Sequence, residues 1–216
     1  LDALGERWIL DLGKENYNLP EYFTTAGTRW TYYRTRAESH NTLIFNPGKE
    51  PGQATRAKAK ITKFNTSPKT AFAIADLSAA YTTDMNSVQR GIAMVDRKRI
   101  IIRDEMLAKN SADVYWFVHT EAAVKVDASG KKAILILNGK QMEATIMAPS
   151  NARFESLAAS PLSGSPNPPG INPNTGITRL SIQLKNITKG EITVEFKPVS
   201  ERSDYKGDFL KALSSW

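Results

Sequence analysis

The sequence predicts an all-β protein, an antiparallel β-sandwich with many strands in stacked sheets and little helix. Three observations predict this class. Short segments either alternate apolar and polar residues or run continuously apolar, as half-buried and fully buried strands do. Turn-forming pairs such as Asn138-Gly139 separate these segments at short intervals. Helical spacing is found only in residues 205–216, so stacked antiparallel sheets are the architecture that the pattern favours.

The first fifth of the chain is predicted to alternate strands with loops. Residues 1–13 are predicted to form a strand, and residues 14–28, which carry three aromatics with Asn, Pro and Gly at turn spacing, an ordered loop. Strands are predicted next at residues 29–35 and 40–45, with residues 36–39 as a short link.

Shorter strands are predicted after the turn-rich break at residues 46–52. Residues 57–64 read as a half-buried strand, residues 71–77 as a central strand, and the charged residues 96–98 as a hairpin turn. The other predicted strands are residues 91–95, 99–102, 114–119, 123–126, 133–137, 142–147, 179–184 and 191–196, the last two joined around Lys189-Gly190.

Two segments are predicted to lie outside the sheets. Residues 161–176 contain five prolines and three glycines, which exclude a strand or helix. We expect a long loop across a face or an edge, since so many residues do not make a tight turn. The tail, residues 205–216, is predicted to form one short helix with its apolar residues on one side.

The composition limits the possible functions. With 216 residues the chain could form one large domain or two small ones, and we interpret residues 1–216 as one domain cut from a longer chain, since it begins at Leu1 without methionine. The absence of cysteine leaves histidine and carboxylates as the ligands for any transition metal. The net charge of +7 favours an anionic partner, although a solvated strand face is the alternative. No membrane span or signal segment is evident.

Asp11 and His40 are the candidate metal ligands. Asp11 interrupts the apolar run of residues 9–12, and a buried carboxylate without a partner is costly. His40 follows 29 positions later (40 − 11), and neighbouring strands could bring the two together as half of a zinc site. A structural histidine is the alternative interpretation, and His119, inside an aromatic strand, is predicted to be a packed strand residue.

Tyrosines and arginines form the second candidate site. Tyr17 and Tyr22 lie in the loop at residues 14–28, and Arg34 and Arg36 follow shortly after. An aromatic ring beside a guanidinium suits an anionic sugar, because the ring packs on the pyranose while the guanidinium binds a carboxylate or sulfate. Ordinary strand aromatics are the alternative. No phosphate-binding glycine loop, nucleophile elbow or nucleic-acid recognition motif is present.

Several segments together resemble one family. They are GERWILDLG, YNLPEYF, RWTYYRTRAESHNTLIFNP, IADLSAAY, VQRGIAMVDRKRIIIRDE, YWFVHT and SPNPPGINPN. They resemble the C-terminal β-domain of the heparinase II/III-like polysaccharide lyases, in register across nearly the whole chain, and SHNTL is the most specific part.

The resemblance implies a lyase that cleaves uronic-acid polysaccharides by β-elimination, with an N-terminal α/α toroid before the β-sandwich. It implies zinc held by Asp11, His40 and a third ligand upstream of Leu1. Tyr22 would be a cleft residue, while Arg34 and Arg36 are candidate substrate contacts from the residue pattern alone. The toroid's catalytic residues are missing, so we expect this chain alone to be inactive.

The resemblance also implies a periplasmic or secreted protein of bacterial type, whose partners are an acidic polysaccharide and its own toroid, not nucleic acid. A non-catalytic carbohydrate-binding module and a purely structural sandwich are the alternative hypotheses.

Overall fold

The computed structural model describes residues 1–201 and 205–216, and this part of the chain is mainly β-strand, which confirms the predicted all-β class. Short 3₁₀ helices are found at Thr28–Thr31, Tyr33–Thr35, Ala37–Ser39, Ser78–Ala80, Asp208–Leu210 and Leu213–Ser215. The strands are β1 (Asp2–Ala3), β2 (Glu6–Arg7), β3 (Leu43–Phe45), β4 (Lys60–Thr66), β5 (Ala71–Asp76), β6 (Met85–Val95), β7 (Arg99–Thr120), β8 (Ala123–Val126), β9 (Lys132–Leu137), β10 (Lys140–Ala148), β11 (Phe154–Ala158) and β12 (Thr178–Pro198).

Two long antiparallel strands, β7 and β12, lie at the centre of the large sheet, whose order is β4-β5-β6-β7-β12-β10-β9-β8. The register between them shifts between Leu184 and Lys189. Beyond that point β3 pairs with the end of β7, and β11 pairs with the start of β12. Each long strand therefore continues past the register shift and pairs with different neighbouring strands on its two sides.

The sheet folds over at this shift into two packed layers. Trp116 pairs with Ile182 on β12, whereas Phe196 pairs with Ile100 on β7. In a flat sheet these rings would be roughly 50 Å apart, since a strand rises about 3.3 Å per residue. Their centroids are instead 6.4 Å apart and the rings are stacked. The core lies between the layers, as the predicted sandwich requires.

The outer face of the layer formed by β3 and the end of β7 is also covered. Phe117 and Ile44 pack there against Ala37, and Leu162 of the Pro-rich loop (residues 161–176) joins them. This loop contains no strand or helix, as predicted. The segment that carries the candidate site residues is therefore held between the sheet and the Pro-rich loop.

Residues 1–13 were predicted to form one strand, and this is wrong. Leu4 and Gly5 both have positive φ, at 55° and 76°, and close a small hairpin between β1 and β2. Only Leu10 then pairs with the large sheet, through a bridge to His119. The hydrophobic pattern of this segment reflects packing into the core rather than strand pairing along its length.

The predicted strand at residues 29–35 is also wrong, because this segment forms two 3₁₀ helices. The Tyr32 N–H donates to the carbonyl of Arg29, and the Thr35 hydroxyl donates to the carbonyl of Tyr32. Tyr32 and Tyr33 are both buried, although adjacent residues of a strand would point to opposite faces of the sheet. Local hydrogen bonds form here in place of the hydrogen bonds between β-strands. The aromatic residues of the segment do not reveal this.

Several predicted strand boundaries change. Residues 99–102 and 114–119 belong to one strand, as do residues 179–184 and 191–196, because residues between them still pair across the bend. The predicted connection between two strands around Lys189-Gly190 is therefore wrong. The hairpins at residues 96–98 and at Asn138-Gly139 are confirmed.

Two terminal or edge segments also differ. Strand β4 is exposed on both faces rather than half-buried, because it lies at the edge of the sheet. The tail forms two 3₁₀ helices rather than one helix, but Leu213 and Trp216 do pack together on the sheet with Phe209 beside them.

Gly91 lets the tail dock on the outer face of β6. An added Cβ would lie 2.4 Å from Leu213 and 2.6 Å from Trp216. Gly91→Ala is therefore expected to lower the free energy of unfolding by about 1–3 kcal/mol through overpacking, measured by urea unfolding. Gly48→Ala is the control, because its Cβ would meet nothing closer than 3.9 Å. Equal midpoints for the two variants would contradict this packing.

Candidate functional site

Asp11 and His40 meet at one end of the sandwich, as the sequence predicts. The Oδ2 atom of Asp11 lies 2.7 Å from Nδ1 of His40, and Oδ1 accepts a hydrogen bond of 2.9 Å from the Gly13 N–H. The side chains are 52% and 38% exposed, respectively. The carboxylate is therefore partnered, but the pair faces solvent on one side.

The backbone at this end of the sheet places the pair. Leu10, next to Asp11, donates its N–H to the carbonyl of His119, the next-to-last residue of β7. His40 ends the 3₁₀ helix Ala37–Ser39 and precedes β3, which pairs with the same strand. Both segments thus reach the site through β7, so their 29-residue separation in sequence is closed by the sheet.

The ionisation of the nearby groups follows from burial and contacts. Partial burial raises the pKa of the Asp11 carboxyl, but hydrogen bonds from His40 and Gly13 lower it by more, so its pKa lies below the ordinary value. Burial, with the positive charges of Arg179 and His40, lowers the pKa of His119 to about 3. His119 is thus a neutral, fully buried ring at neutral pH.

His119 lies in a buried polar cluster beside the site. Its Nε2 is 3.3 Å from the Tyr33 hydroxyl, which also accepts from Arg179. Burial raises the pKa of Tyr33 to about 12, so the phenol stays protonated. The structure therefore agrees with the interpretation of His119 as a packed strand residue, held by hydrogen bonds.

The donor atoms of Asp11 and His40 suit zinc in kind, because a carboxylate and an imidazole are ordinary zinc ligands. They are too few, since zinc sites take at least three protein ligands. Within residues 1–201 and 205–216, no group of three or more histidine, aspartate or glutamate side chains could hold a metal ion. Asp11 and His40 by themselves therefore do not complete a zinc site.

Tyr22 lies in a cluster of aromatic rings, in the loop at residues 14–28 that we call the tyrosine loop. Its ring is only 7% exposed and packs with Leu19 and Tyr32. Phe23 is 73% exposed and Tyr17 48%, with ring centroids 5.1 and 4.9 Å from that of Tyr22. The outer surface of the cluster is therefore formed by Tyr17, which the sequence indicates as a candidate, and by Phe23, which it does not single out.

Two cations lie against this cluster. Lys14 Nζ is 4.7 Å from the ring centroid of Tyr17, and the Arg29 guanidinium is 4.7 Å from that of Tyr22. Exposed rings flanked by cations suit a ligand with both an apolar ring face and a negative charge. Tyr17, Phe23, Lys14 and Arg29 together are called the aromatic–cation surface below.

Arg34 connects the tyrosine loop to the Pro-rich loop. Its Nε donates to Oδ1 of Asn174 at 2.8 Å, and its Nη1 donates to the carbonyls of Leu12 and Lys14 at 3.0 and 3.1 Å. Arg34 also lines, with Asp11, an open cavity of about 560 Å³. The guanidinium is thus close to the candidate site, but most of its hydrogen bonds go to backbone carbonyls of this chain.

Arg36 does not reach a surface where it could contact a polysaccharide. It is 1% exposed, and its guanidinium donates to the carbonyls of Gly48 and Lys49 at 2.6 and 3.0 Å and pairs with Glu38 at 3.5 Å. The physical reason is the 3₁₀ geometry of this segment, which turns the side chain inward. The predicted substrate contact at Arg36 therefore does not fit this structure.

Sequence reasoning missed two buried acids that hold the loops. Glu15 accepts backbone hydrogen bonds from Asn172 at 2.7 Å and Asn16 at 3.0 Å. Glu38 accepts from the Leu162 N–H at 3.3 Å and from the Ser165 hydroxyl. Both carboxylates thus tie the first 40 residues to the Pro-rich loop. No sequence signal marks them, because each stands among polar neighbours.

No helix among the described residues is long and apolar enough to cross a membrane.

Comparisons with solved structures show the same fold. A mutant of heparan sulfate lyase HepC from Pedobacter heparinus superposes with a TM-score of 0.69 at 11% identity, covering 95% of this chain and 32% of that chain. HepC itself gives 0.65 at 11% identity over the same shares. A structure titled heparinase III gives 0.59 at 12% identity, covering 84% of this chain and 27% of that chain.

This chain therefore spans about a third or less of the length of those structures. At such low identities the likeness concerns the fold alone. No curated protein sequence matches the chain.

The sequence itself matches one family, described as heparinase II/III-like, C-terminal, over residues 1–186. The match covers the tyrosine loop, the Asp11–His40 pair and the Pro-rich loop, and it confirms the resemblance found in the sequence. The chain belongs to the heparinase II/III-like C-terminal family.

Proposed function

We propose that this chain is the β-sandwich domain of a polysaccharide lyase that cleaves acidic, uronic-acid-containing polysaccharide by β-elimination. Its role is to supply part of a zinc site and one wall of the substrate cleft. The single observation that carries the proposal is the contact between Asp11 and His40 in a chain of this family. Names of the similar structures, heparan sulfate lyase and heparinase III, support the substrate class.

The chemistry of β-elimination decides which parts must come from elsewhere. Removing the proton at C5 of a uronate places negative charge next to its carboxylate, so the reaction needs a base, an acid for the leaving oxygen and donors at the carboxylate. Of the two histidines here, His119 is buried and neutral. We propose that an N-terminal α/α toroid of the longer protein provides these groups, and that this chain alone is inactive.

Zinc has a structural role in this proposal. Asp11 and His40 would hold it together with a third ligand upstream of Leu1, and the ion would fix the relative positions of the segments that carry them. The pair adjoins Leu12 and Gly13, which lead directly into the tyrosine loop. Fixing Asp11 therefore fixes one end of the loop that carries the aromatic–cation surface.

The aromatic–cation surface and Arg34 are the proposed substrate contacts. Tyr22 supports the outer rings from below, since it is nearly buried beneath Tyr17 and Phe23. The net charge of +7 favours an acidic glycan over a neutral one. A polymeric glycan is met outside the cytoplasm, which supports a periplasmic or secreted protein.

The lyase proposal is tested with the longer protein that contains this chain. It is incubated with heparan sulfate, alginate and chondroitin, and formation of unsaturated uronate is followed by ultraviolet absorbance. We expect absorbance to rise with at least one of these polymers. No rise with any uronate polymer would refute the lyase proposal.

A non-catalytic carbohydrate-binding module is the second candidate, favoured by the exposed rings of Tyr17 and Phe23. It predicts that the isolated chain binds acidic glycan and that the longer protein produces no unsaturated uronate. The ultraviolet assay therefore separates the two functions.

Phe23→Ala in the longer protein is expected to raise KM for the cleaved polysaccharide about fivefold. Loss of one stacked ring costs about 1 kcal/mol of binding. The matched control is Phe64→Ala, because Phe64 is 74% exposed but lies on the edge strand β4. Equal KM values for the two variants would exclude Phe23 from the substrate surface.

A further inference from the structure

We propose that Asn41 is a positioning residue that fixes Asp11 relative to His40. The inference rests on the proposed function, because it concerns the same candidate metal pair. Asn41 follows His40 directly in sequence, and its side chain reaches the backbone next to Asp11. One side chain thus connects the two segments that must meet at the site.

The side-chain amide of Asn41 both donates and accepts a hydrogen bond. Its Nδ2 donates to the carbonyl of Leu10 at 2.8 Å, and its Oδ1 accepts from the His119 N–H at 2.7 Å. Leu10 in turn donates its N–H to the carbonyl of His119 at 3.0 Å. Leu10, Asn41 and His119 therefore form a closed set of hydrogen bonds directly behind Asp11 and His40.

The backbone of Asn41 is itself anchored in the sheet. Arg90 donates from Nη1 to the Asn41 carbonyl at 2.6 Å. The same guanidinium makes two hydrogen bonds, of 2.7 and 2.9 Å, with the fully buried carboxylate of Asp104. Two adjacent strands, β6 and β7, thus hold the residue that follows His40.

The Asp11–His40 contact does not provide this order by itself. Both side chains are partly exposed, and exposed ion pairs contribute little because solvent screens them and the side chains must be immobilised. Order at the pair must therefore come from the buried groups behind it. Asn41 suits this task because a carboxamide donates and accepts at once.

The test uses the longer protein, with Asn41→Ala and Asn41→Asp as variants. Asn41→Asp keeps the size of the side chain and the acceptor for the His119 N–H but removes the donor to Leu10, so it serves if the alanine variant does not fold. Asn46→Ala is the matched control. Its side chain also links two segments, donating to Asp84 at 2.7 Å and accepting from the Asp113 N–H at 2.9 Å, but at the far end of β3.

Two readouts are taken from each protein. The first is the zinc dissociation constant from competition with a chelator. The second, taken on the metal-free protein, is the ¹⁵N chemical shift of the His40 ring nitrogens, assigned by comparison with His40→Gln, which reports the hydrogen bond to Asp11. We expect zinc to bind about tenfold or more weakly in both Asn41 variants, as for other residues that orient metal ligands. The Nδ1 shift should change in both variants, and Asn46→Ala should leave both readouts unchanged.

The outcomes separate this inference from the proposed function. If the wild-type protein binds no zinc, the zinc part of the proposed function fails, and the His40 shift alone judges the role of Asn41. If a folded Asn41 variant keeps the wild-type His40 shift, the positioning role of Asn41 is refuted, even if the wild-type protein binds zinc.

Discussion

At pH 5 the chain is expected to be about 2 kcal/mol less stable than at pH 7, because His119 is buried as a neutral ring. Its pKa is about 3 in the folded chain and 6.5 when solvated. Between these values the unfolded chain binds a proton that the native chain does not. Stability is therefore full above pH 6.5 and falls by about 1.4 kcal/mol for each pH unit down to about 3.

The groups around His119 support this direction. Arg179 and His40 oppose a positive charge on the ring, and Asp11 favours one but has a smaller effect. Urea unfolding at pH 7 and pH 5 measures the slope. His119→Gln should flatten it, whereas His40→Gln, which alters a partly exposed ring, should retain most of it. A slope unaffected by His119→Gln would show that another group causes the acid sensitivity.

Asp104→Ala is expected to lower the free energy of unfolding by about 3–5 kcal/mol, since it leaves the guanidinium of Arg90 nearly buried without its counter-charge. Asp104 is fully buried and makes two hydrogen bonds with Arg90. Asp104 also holds the Arg90 guanidinium, which donates to the Asn41 carbonyl, so the variant is expected to destabilise the candidate site as well as the sheet.

The control for Asp104→Ala is Asp2→Ala, which breaks the exposed pair with Arg7 at 2.9 Å. Solvent screens that pair, so no measurable change is expected. Urea midpoints for both variants give the comparison. A similar midpoint for Asp104→Ala and Asp2→Ala would contradict the role assigned to the buried pair.

The sequence predicted the class of the fold because period-two patterning and turn residues are local signals. The Asn138-Gly139 hairpin is an example, since both residues adopt the positive φ that this turn needs. The continuity of β7 and β12 was not predictable in the same way. The polar residues between the predicted strands 99–102 and 114–119, and between 179–184 and 191–196, interrupt the apolar pattern, although in the structure the strands continue through them where the sheet folds over.

The candidate site was predicted in part, through one carboxylate in an unusual sequence context and one histidine of two. Asp11 was noticed as a carboxylate in an apolar run and His40 as one of two histidines, and the structure joins them at 2.7 Å. Arg36 was predicted to contact substrate, but its side chain points inward because 3₁₀ helices lie on both sides of it. The aromatic residues of this segment had favoured a strand. Phe23 was missed because the exposure of a loop aromatic depends on how the loop packs, which no local pattern encodes.

The zinc content of the longer protein decides whether Asp11 and His40 are part of a metal site. Metal analysis of the purified protein should find about one zinc ion per chain, lost in both His40→Ala and Asp11→Ala. The 216-residue chain alone should bind zinc weakly or not at all, since it provides two donors. A wild-type protein without zinc, or retention of zinc by both variants, would contradict the account.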